Sequence, residues 1–207
     1  MLSAPEALER LKEGNARFVA RVDNQEPIPS PPCPIAEMNK RKPFAIILGC
    51  SDARVPAEIV FDQGLGDLFV IRVAGNIVAP SQVGSVEFAA SRFGTRLVVV
   101  LGHSQCGAIM ATLEELQQPT HQSSNLRSIV NRVRPSVEVL FQTELRDDLD
   151  TLVGHAVRAN VAASVNHLRS GSELLERQIQ NEGLMVVGAE YSLETGAVDF
   201  FDLPDSV

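Results

Sequence analysis

Phe44-Ala45-Ile46-Ile47-Leu48-Gly49-Cys50 is an unbroken apolar run that ends on a cysteine. A strand with one face in water alternates apolar and polar side chains, so a run without alternation belongs to a strand covered on both faces. Two further runs have the same character: Leu68-Phe69-Val70-Ile71 within 67–73, and Leu97-Val98-Val99-Val100-Leu101 within 95–101. The segments between the runs have helical composition, and 81–92 and 107–116 read as the helices that follow the second and third strands. Strand alternating with helix implies a parallel sheet joined by right-handed crossovers.

Toward the N-terminus, Leu8, Leu11, Phe18 and Val19 recur at helical spacing, which predicts an amphipathic helix over 5–20 with Ser3 as its cap. The prolines of Gln25-Glu26-Pro27-Ile28-Pro29-Ser30-Pro31-Pro32-Cys33-Pro34 then forbid regular helix and central strand, leaving an extended linker. Toward the C-terminus the chain turns mostly helical. Leu149, Leu152, Val153, Ala156 and Val157 draw one buried stripe along 148–170. Segments 184–191 and 197–202 flank Ser192-Leu193-Glu194-Thr195-Gly196 and read as a strand, a turn and an edge strand. The expected fold class is α/β: a central, mostly parallel β-sheet flanked by helices, with an N-terminal helical arm and an antiparallel edge strand near the C-terminus. One domain is expected over 1–207, with the arm and linker in 1–42, the site in 43–115, and the helical region and last strands in 116–207.

The composition, 44 % hydrophobic and 21 % charged, is that of a globular protein. No apolar run approaches the roughly 20 residues that span a bilayer, and the first residues lack the basic-then-apolar build of a signal peptide, so no membrane partner and a cytoplasmic location are expected. The 26 acidic against 18 basic residues, a formal net charge of -8, repel phosphate backbones, so nucleic acid is not expected as a partner. Three cysteines in such a chain serve metals or catalysis more often than disulfides.

Cys50 ends the first apolar run, and His103 and Cys106 follow the third in Gly102-His103-Ser104-Gln105-Cys106-Gly107. Ligands at the carboxyl ends of strands face the crevice in which open α/β sheets bind small molecules. Two thiolates and an imidazole suit zinc better than magnesium or calcium, and three protein ligands leave a fourth position open for chemistry. Each piece alone has a plainer reading: cysteine is a common core residue, and Asp52 with Arg54 reads as a surface ion pair worth about 0 to 1 kcal/mol. A closed structural zinc site, with Cys33 as fourth thiolate, is the alternative from a different class.

Cys50-Ser51-Asp52-Ala53-Arg54-Val55-Pro56 and Gly102-His103-Ser104-Gln105-Cys106-Gly107, about fifty residues apart, closely resemble the two zinc-binding motifs of bacterial-type β-class carbonic anhydrases. The similarity extends through Phe69-Val70-Ile71-Arg72-Val73-Ala74-Gly75-Asn76 and Gly84-Ser85-Val86-Glu87-Phe88, covering 43–115 strongly and the ends more loosely. The resemblance implies one zinc ion per chain on Cys50, His103 and Cys106, with water or hydroxide as fourth ligand. It implies the reversible hydration of carbon dioxide to bicarbonate and a proton, by zinc-bound hydroxide oriented by the Asp52–Arg54 pair. It also implies a Gly107 amide that donates to the developing bicarbonate, an apolar substrate wall at Val55, Phe69 and Phe88, and a homo-oligomer built from dimers whose cleft both partners line. In one subgroup the motif aspartate, here Asp52, closes the site as a fourth ligand at low pH.

Two positions depart from the family pattern. Arg41 stands where plant-type members carry a substrate-contacting glutamine. The subgroup's bicarbonate regulatory site is built from Trp, Arg and Tyr; Arg72 and Tyr191 match, but Ile47 replaces the tryptophan, and the chain has no tryptophan at all. Related zinc chemistry on carbon disulfide or carbonyl sulfide, and bicarbonate sensing with little turnover, share the same residues.

Overall fold

Ala45, Ile46, Ile47 and Leu48 are all fully buried in strand β1 (Ala45–Gly49), and they divide by parity between two cores. Ala45 and Ile47 pack into one hydrophobic cluster, Ile46 and Leu48 into another. That is the period-2 geometry of a strand covered on both faces, as the absence of alternation requires. The computed structural model describes residues 2–27, 42–119 and 123–203. The proline-rich linker from Ile28 onward, with Cys33 and Arg41, lies outside them.

β1 is an interior strand of a five-stranded sheet with β2 (Leu68–Arg72), β3 (Leu97–His103), β4 (Met185–Tyr191) and β5 (Val198–Phe201), in the order β2-β1-β3-β4-β5. The first four strands are parallel and β5 is antiparallel to β4. From β1 the chain moves first to one side, to β2, and later to the other, to β3. The carboxyl ends of β1 and β3 are therefore the point at which the strand order reverses, where open sheets leave a crevice.

One face of the sheet is covered by α1 (Ala4–Asp23), whose Ser3 cap and Glu6 form a reciprocal capping box. Leu8 and Leu11 are fully buried against Ala45, Ile47, Leu97 and Val99, each burial stabilising by about 1.5–3 kcal/mol. Contact is closest at Gly14, where an added Cβ would lie 1.9 Å from the Phe61 carbonyl oxygen.

Helical composition between β1 and β2 does not become a full helix. That crossover carries only α2 (Ala57–Val60), and the physical reason is that α1 already occupies the face a longer crossover helix would cover. The opposite face is covered by α3 (Pro80–Phe93), by α6 (Leu149–Ser170) and by α7 (Glu173–Asn181). Between β3 and α6 come α4 (Gly107–Gln117) and α5 (Ser124–Phe141). The predicted stripe on α6 is buried at Leu152, Val153, Ala156 and Val157, with Asp148 as N-cap, while Leu149, in the first turn, is exposed. No helix among the described residues is long and apolar enough to cross a membrane.

Candidate metal centre

Cys50 is the first residue past β1, and its 6 % exposure makes it as buried as the strand it ends. His103 lies inside β3 as its last residue, because parallel pairing of His103 with Tyr191 carries the ladder two positions beyond the apolar run. Ser104 and Gln105 then turn the chain, with Gln105 at φ 56, and Cys106 is the N-cap of α4. The structure brings these three side chains together: the two sulfurs and an imidazole nitrogen all lie within 4.8 Å of one another, and all three residues are buried.

The ring of His103 is held by its other nitrogen. Nδ1 lies 2.9 Å from the Ser104 carbonyl oxygen, which can only accept, so Nδ1 carries the hydrogen and Nε2 keeps its lone pair. Nε2 is buried and finds no hydrogen-bond partner among the described residues. A buried unpaired acceptor costs about 1–3 kcal/mol, and a cation between Nε2 and two thiolates would remove that cost. The donor set fits a soft divalent ion with three protein ligands.

The two thiols titrate as one unit. The neighbouring Cys106 thiol favours a Cys50 thiolate against the opposing effect of burial, with further help from the Gly75 amide. Cys106, the donor beside that thiolate and buried itself, is pushed up. Burial disfavours a charged His103, but the Cys50 charge outweighs it and raises the ring's affinity for a proton. A site that releases one thiol proton easily and strongly retains the second is short of positive charge, which a divalent ion supplies.

Asp52 stands beside this group rather than in it. Its Oδ1 accepts from Arg54 Nε at 2.9 Å and from the Arg54 amide at 2.9 Å, and its Oδ2 accepts from Arg54 Nη2 at 2.7 Å. Oδ2 is also 4.0 Å from His103 Nε2, at the edge of the centre. The Arg54 guanidinium holds the Asp52 carboxyl well below the usual carboxylate range. Asp52 is therefore an acceptor only at any ordinary pH.

A second tier of groups comes from the turn after β2. The Gly75 amide donates to Cys50 Sγ at 3.4 Å. Gly75 has φ 69, a region that penalises a side chain, and an added Cβ would meet Ala108 at 3.0 Å. Two buried side chains of α6 hold this turn: Asn160 Nδ2 donates to the Gly75 carbonyl at 2.8 Å, and Ser164 Oγ to the Asn76 carbonyl at 3.2 Å. Sequence reading missed Asn160 and Ser164. Their signal was present, since Asn160 falls one helical turn after Ala156 on a stripe that is otherwise apolar.

Gly107 opens α4, and nothing lies within 4 Å of the position its Cβ would occupy, so the helix N-terminus is open at that point. Val55 is buried at 3 %, directly after Arg54. Phe69 and Phe88 are not brought to the centre within one chain. They form an aromatic group with Phe93, at centroid separations of 6.3, 6.1 and 5.8 Å, and Phe69 lies three residues back along β2 from Arg72, about 10 Å by strand rise. Arg72 and Tyr191 are not brought together either. Arg72 bonds the carbonyls of Cys50 and Asp52, while Tyr191 packs against Phe18 with centroids 6.4 Å apart, on a strand separated from β2 by β1 and β3.

An open α/β sheet with a Cys-His-Cys group at its switch point, able to hold a metal, defines the class: an α/β protein built around a candidate metal centre. A family model described as carbonic anhydrase matches residues 45–198. "Carbonic anhydrase 2" of Mycobacterium tuberculosis is 40 % identical over 190 residues, covering 92 % of this chain and 89 % of the relative. The carbonic anhydrase of Mycolicibacterium smegmatis is 37 % identical over 200 residues, covering 93 % and 91 %. Among solved structures, a tetrameric β-carbonic anhydrase of Sordaria macrospora superposes with a TM-score of 0.73 at 22 % identity, over 92 % of this chain and 94 % of the other, a likeness of fold. The chain belongs to the β-class carbonic anhydrase family, and is an enzyme of that family.

Proposed function

We propose that this chain catalyses the reversible hydration of carbon dioxide to bicarbonate and a proton, with one zinc ion held by Cys50, His103 and Cys106. The observation that carries the reading is the buried, unpartnered Nε2 of His103, converging on two sulfurs beside an Asp52 already locked by Arg54. Zinc bound there supplies a Lewis acid that brings the pKa of coordinated water to about 7.

Each residue has a separable part. The two cysteines supply charge; the Gly75 amide, donating to Cys50, withdraws some of it, which favours ionisation of the water. Asp52 is kept ionised by Arg54, so its Oδ2 accepts a hydrogen bond from the attacking water and turns the oxygen's remaining lone pair toward carbon dioxide. An acceptor that cannot donate selects the water orientation, which is why the pair of charges matters more here than as a surface ion pair. The Gly107 amide, at a helix N-terminus with no side chain over it, donates to the bicarbonate oxygen as charge develops. With both carboxylate oxygens engaged by Arg54, Asp52 is held back from acting as a fourth ligand; loosening of that ion pair is what would free the carboxylate to close the site.

Carbon dioxide has no charge or dipole, so the reading gives it an apolar wall of Val55, Phe69 and Phe88. Phe88 is 53 % exposed on a single chain, which supports a cleft completed by a second copy. The reading therefore includes a homo-oligomer built from dimers, the Sordaria macrospora relative by fold being tetrameric. A cytoplasmic setting goes with it, because the centre needs its thiols reduced.

The test is stopped-flow hydration of carbon dioxide from about pH 6.5 to 9, with zinc measured on the same sample. About one zinc per chain and a rate that rises with pH are expected. Zinc-loaded protein without hydration would overturn the reading.

A further inference from the structure

Arg72 is the last residue of β2 and is exposed, the kind of position at which an arginine ordinarily samples many rotamers. Here its planar fork is spent on two backbone carbonyls of the neighbouring loop. Nε donates to the Cys50 carbonyl at 3.1 Å and Nη2 to the Asp52 carbonyl at 2.5 Å. One guanidinium thus spans the residue that bears the first sulfur and the residue that bears the carboxylate, with only Ser51 between them. From this geometry we infer that Arg72 is a positioning residue: it acts through the Cys50–Asp52 loop to set where the sulfur and the carboxylate stand relative to each other.

The loop has few other constraints. After Gly49 it leaves the sheet, so Cys50, Ser51 and Asp52 make no strand ladder. The Asp52 carbonyl also accepts from the Val55 amide at 3.1 Å, which closes a turn, but that bond fixes the loop only to itself. Arg72 and the Gly75 amide tie the loop to the end of β2, which is itself anchored to β1 by the Val73 amide bonding the Gly49 carbonyl at 3.1 Å. Arg54 then fixes the Asp52 carboxylate, while Arg72 fixes the backbone from which that carboxylate grows. Without Arg72 the Asp52–Arg54 pair survives as a unit but moves with the loop.

The inference rests on the proposed zinc-dependent hydration for its catalytic consequence, although its structural part can be tested without metal. Arg72→Met removes both donors, and Arg72→Lys keeps the charge but cannot span two carbonyls with a planar fork. In full-length, metal-free protein, amide hydrogen exchange is expected to speed up over 50–55, the Val55 amide included, and to stay unchanged in β3 and β4. Zinc affinity by chelator competition is expected to fall about 10- to 100-fold in Arg72→Met, the range seen when groups supporting metal ligands are removed. The visible spectrum of the cobalt-loaded protein should change, and kcat should fall with KM nearly constant. Arg72→Lys should recover only part of each effect, because a pure charge effect would be restored in full.

Wild-type exchange over 50–55 together with wild-type zinc affinity in Arg72→Met would overturn the inference, as would full rescue by Arg72→Lys. If Arg72→Met does not fold, Arg72→Lys and Arg72→Gln answer the same question by the same measurements. A wild-type chain that binds zinc but hydrates no carbon dioxide would sink the proposed function instead, and the exchange comparison would still decide the role of Arg72.

Discussion

Asn15 and His103 are both polar and both buried, at 6 % and 0 % exposure, yet the fold treats them in opposite ways. Asn15, on α1, has its hydrogen-bonding atoms matched: Nδ2 donates to the carbonyls of Val60 and Gly196 at 3.1 and 2.9 Å, and Oδ1 accepts from the Val198 amide at 2.8 Å. It joins the N-terminal helix to the last residue of α2 and to the β4–β5 connection. His103 is matched at Nδ1 and left open at Nε2. A satisfied buried amide specifies which elements dock; an unsatisfied buried nitrogen marks where something else must bind. Orphaned atoms alone do not make a site, since Asn76 Nδ2 and Gln178 Oε1 also lack partners among the described residues. The difference at His103 is that two sulfurs converge on it.

The sharpest way to break this comparison is to remove a ligand. His103→Ala or Cys106→Ser should abolish stoichiometric zinc and lower hydration at least about a hundredfold, while α1 stays docked. Metal analysis and far-UV circular dichroism on the same preparation check both halves. Zinc content equal to wild type would remove the altered residue from the ligand set.

Asp52→Asn comes next. It keeps the shape and hydrogen-bonding length of the side chain but introduces a donor and discards the charge, so zinc should remain while kcat drops about 10- to 100-fold. Steady-state kinetics on zinc-replete protein would show this, and full activity would end the orienting role assigned to Asp52.

The matched side of the comparison predicts stability effects instead. Asn15→Leu leaves the Val60 and Gly196 carbonyls and the Val198 amide without their partner, for a loss of about 2–4 kcal/mol in urea unfolding with kcat per folded molecule unchanged. Loss of kcat at unchanged stability would reverse the roles given to the two residues.

Asp62 gives the smallest effect. Burial pushes its carboxyl up, and the guanidiniums of Arg17, at 2.6 Å, and Arg21 pull it down by more, so its net shift is downward. A carboxyl with a depressed folded value contributes stability that is present above the ordinary value of about 4 and is lost as pH falls through the folded one. Urea midpoints of wild type and Asp62→Asn should therefore differ by less than about 1 kcal/mol at neutral pH and converge in acid. A gap that widens in acid would mean the ion pairs are not the cause.

Much of this molecule was legible in its residues. Apolar runs without alternation predicted the parallel strands, and the cysteine and histidine ending two of them predicted the cluster that the fold assembles. What sequence reading overestimated was the β1–β2 crossover, because helical composition there did not reveal that α1 would already cover that face of the sheet. Within one chain Phe69 and Phe88 pack with Phe93, and the wall that sequence reading gave them belongs, as proposed, to a cleft lined by two copies. The roles of Asn15, Asn160 and Arg72 were not legible, since each reaches a backbone carbonyl at least 20 residues away, and a carbonyl looks the same at every position of a sequence.

The sequence by itself determined which atoms can bind a soft metal and which segments must be buried on both faces, because donor chemistry and side-chain periodicity are local properties. Only the tertiary structure decided that β1 and β3 lie side by side with Gly49 level with Leu101, that His103 keeps Nε2 free while Nδ1 is bound, and that Arg72 holds the loop between Cys50 and Asp52. Those outcomes depend on pairing between segments far apart in the chain, whose free energy exists only once the sheet is formed.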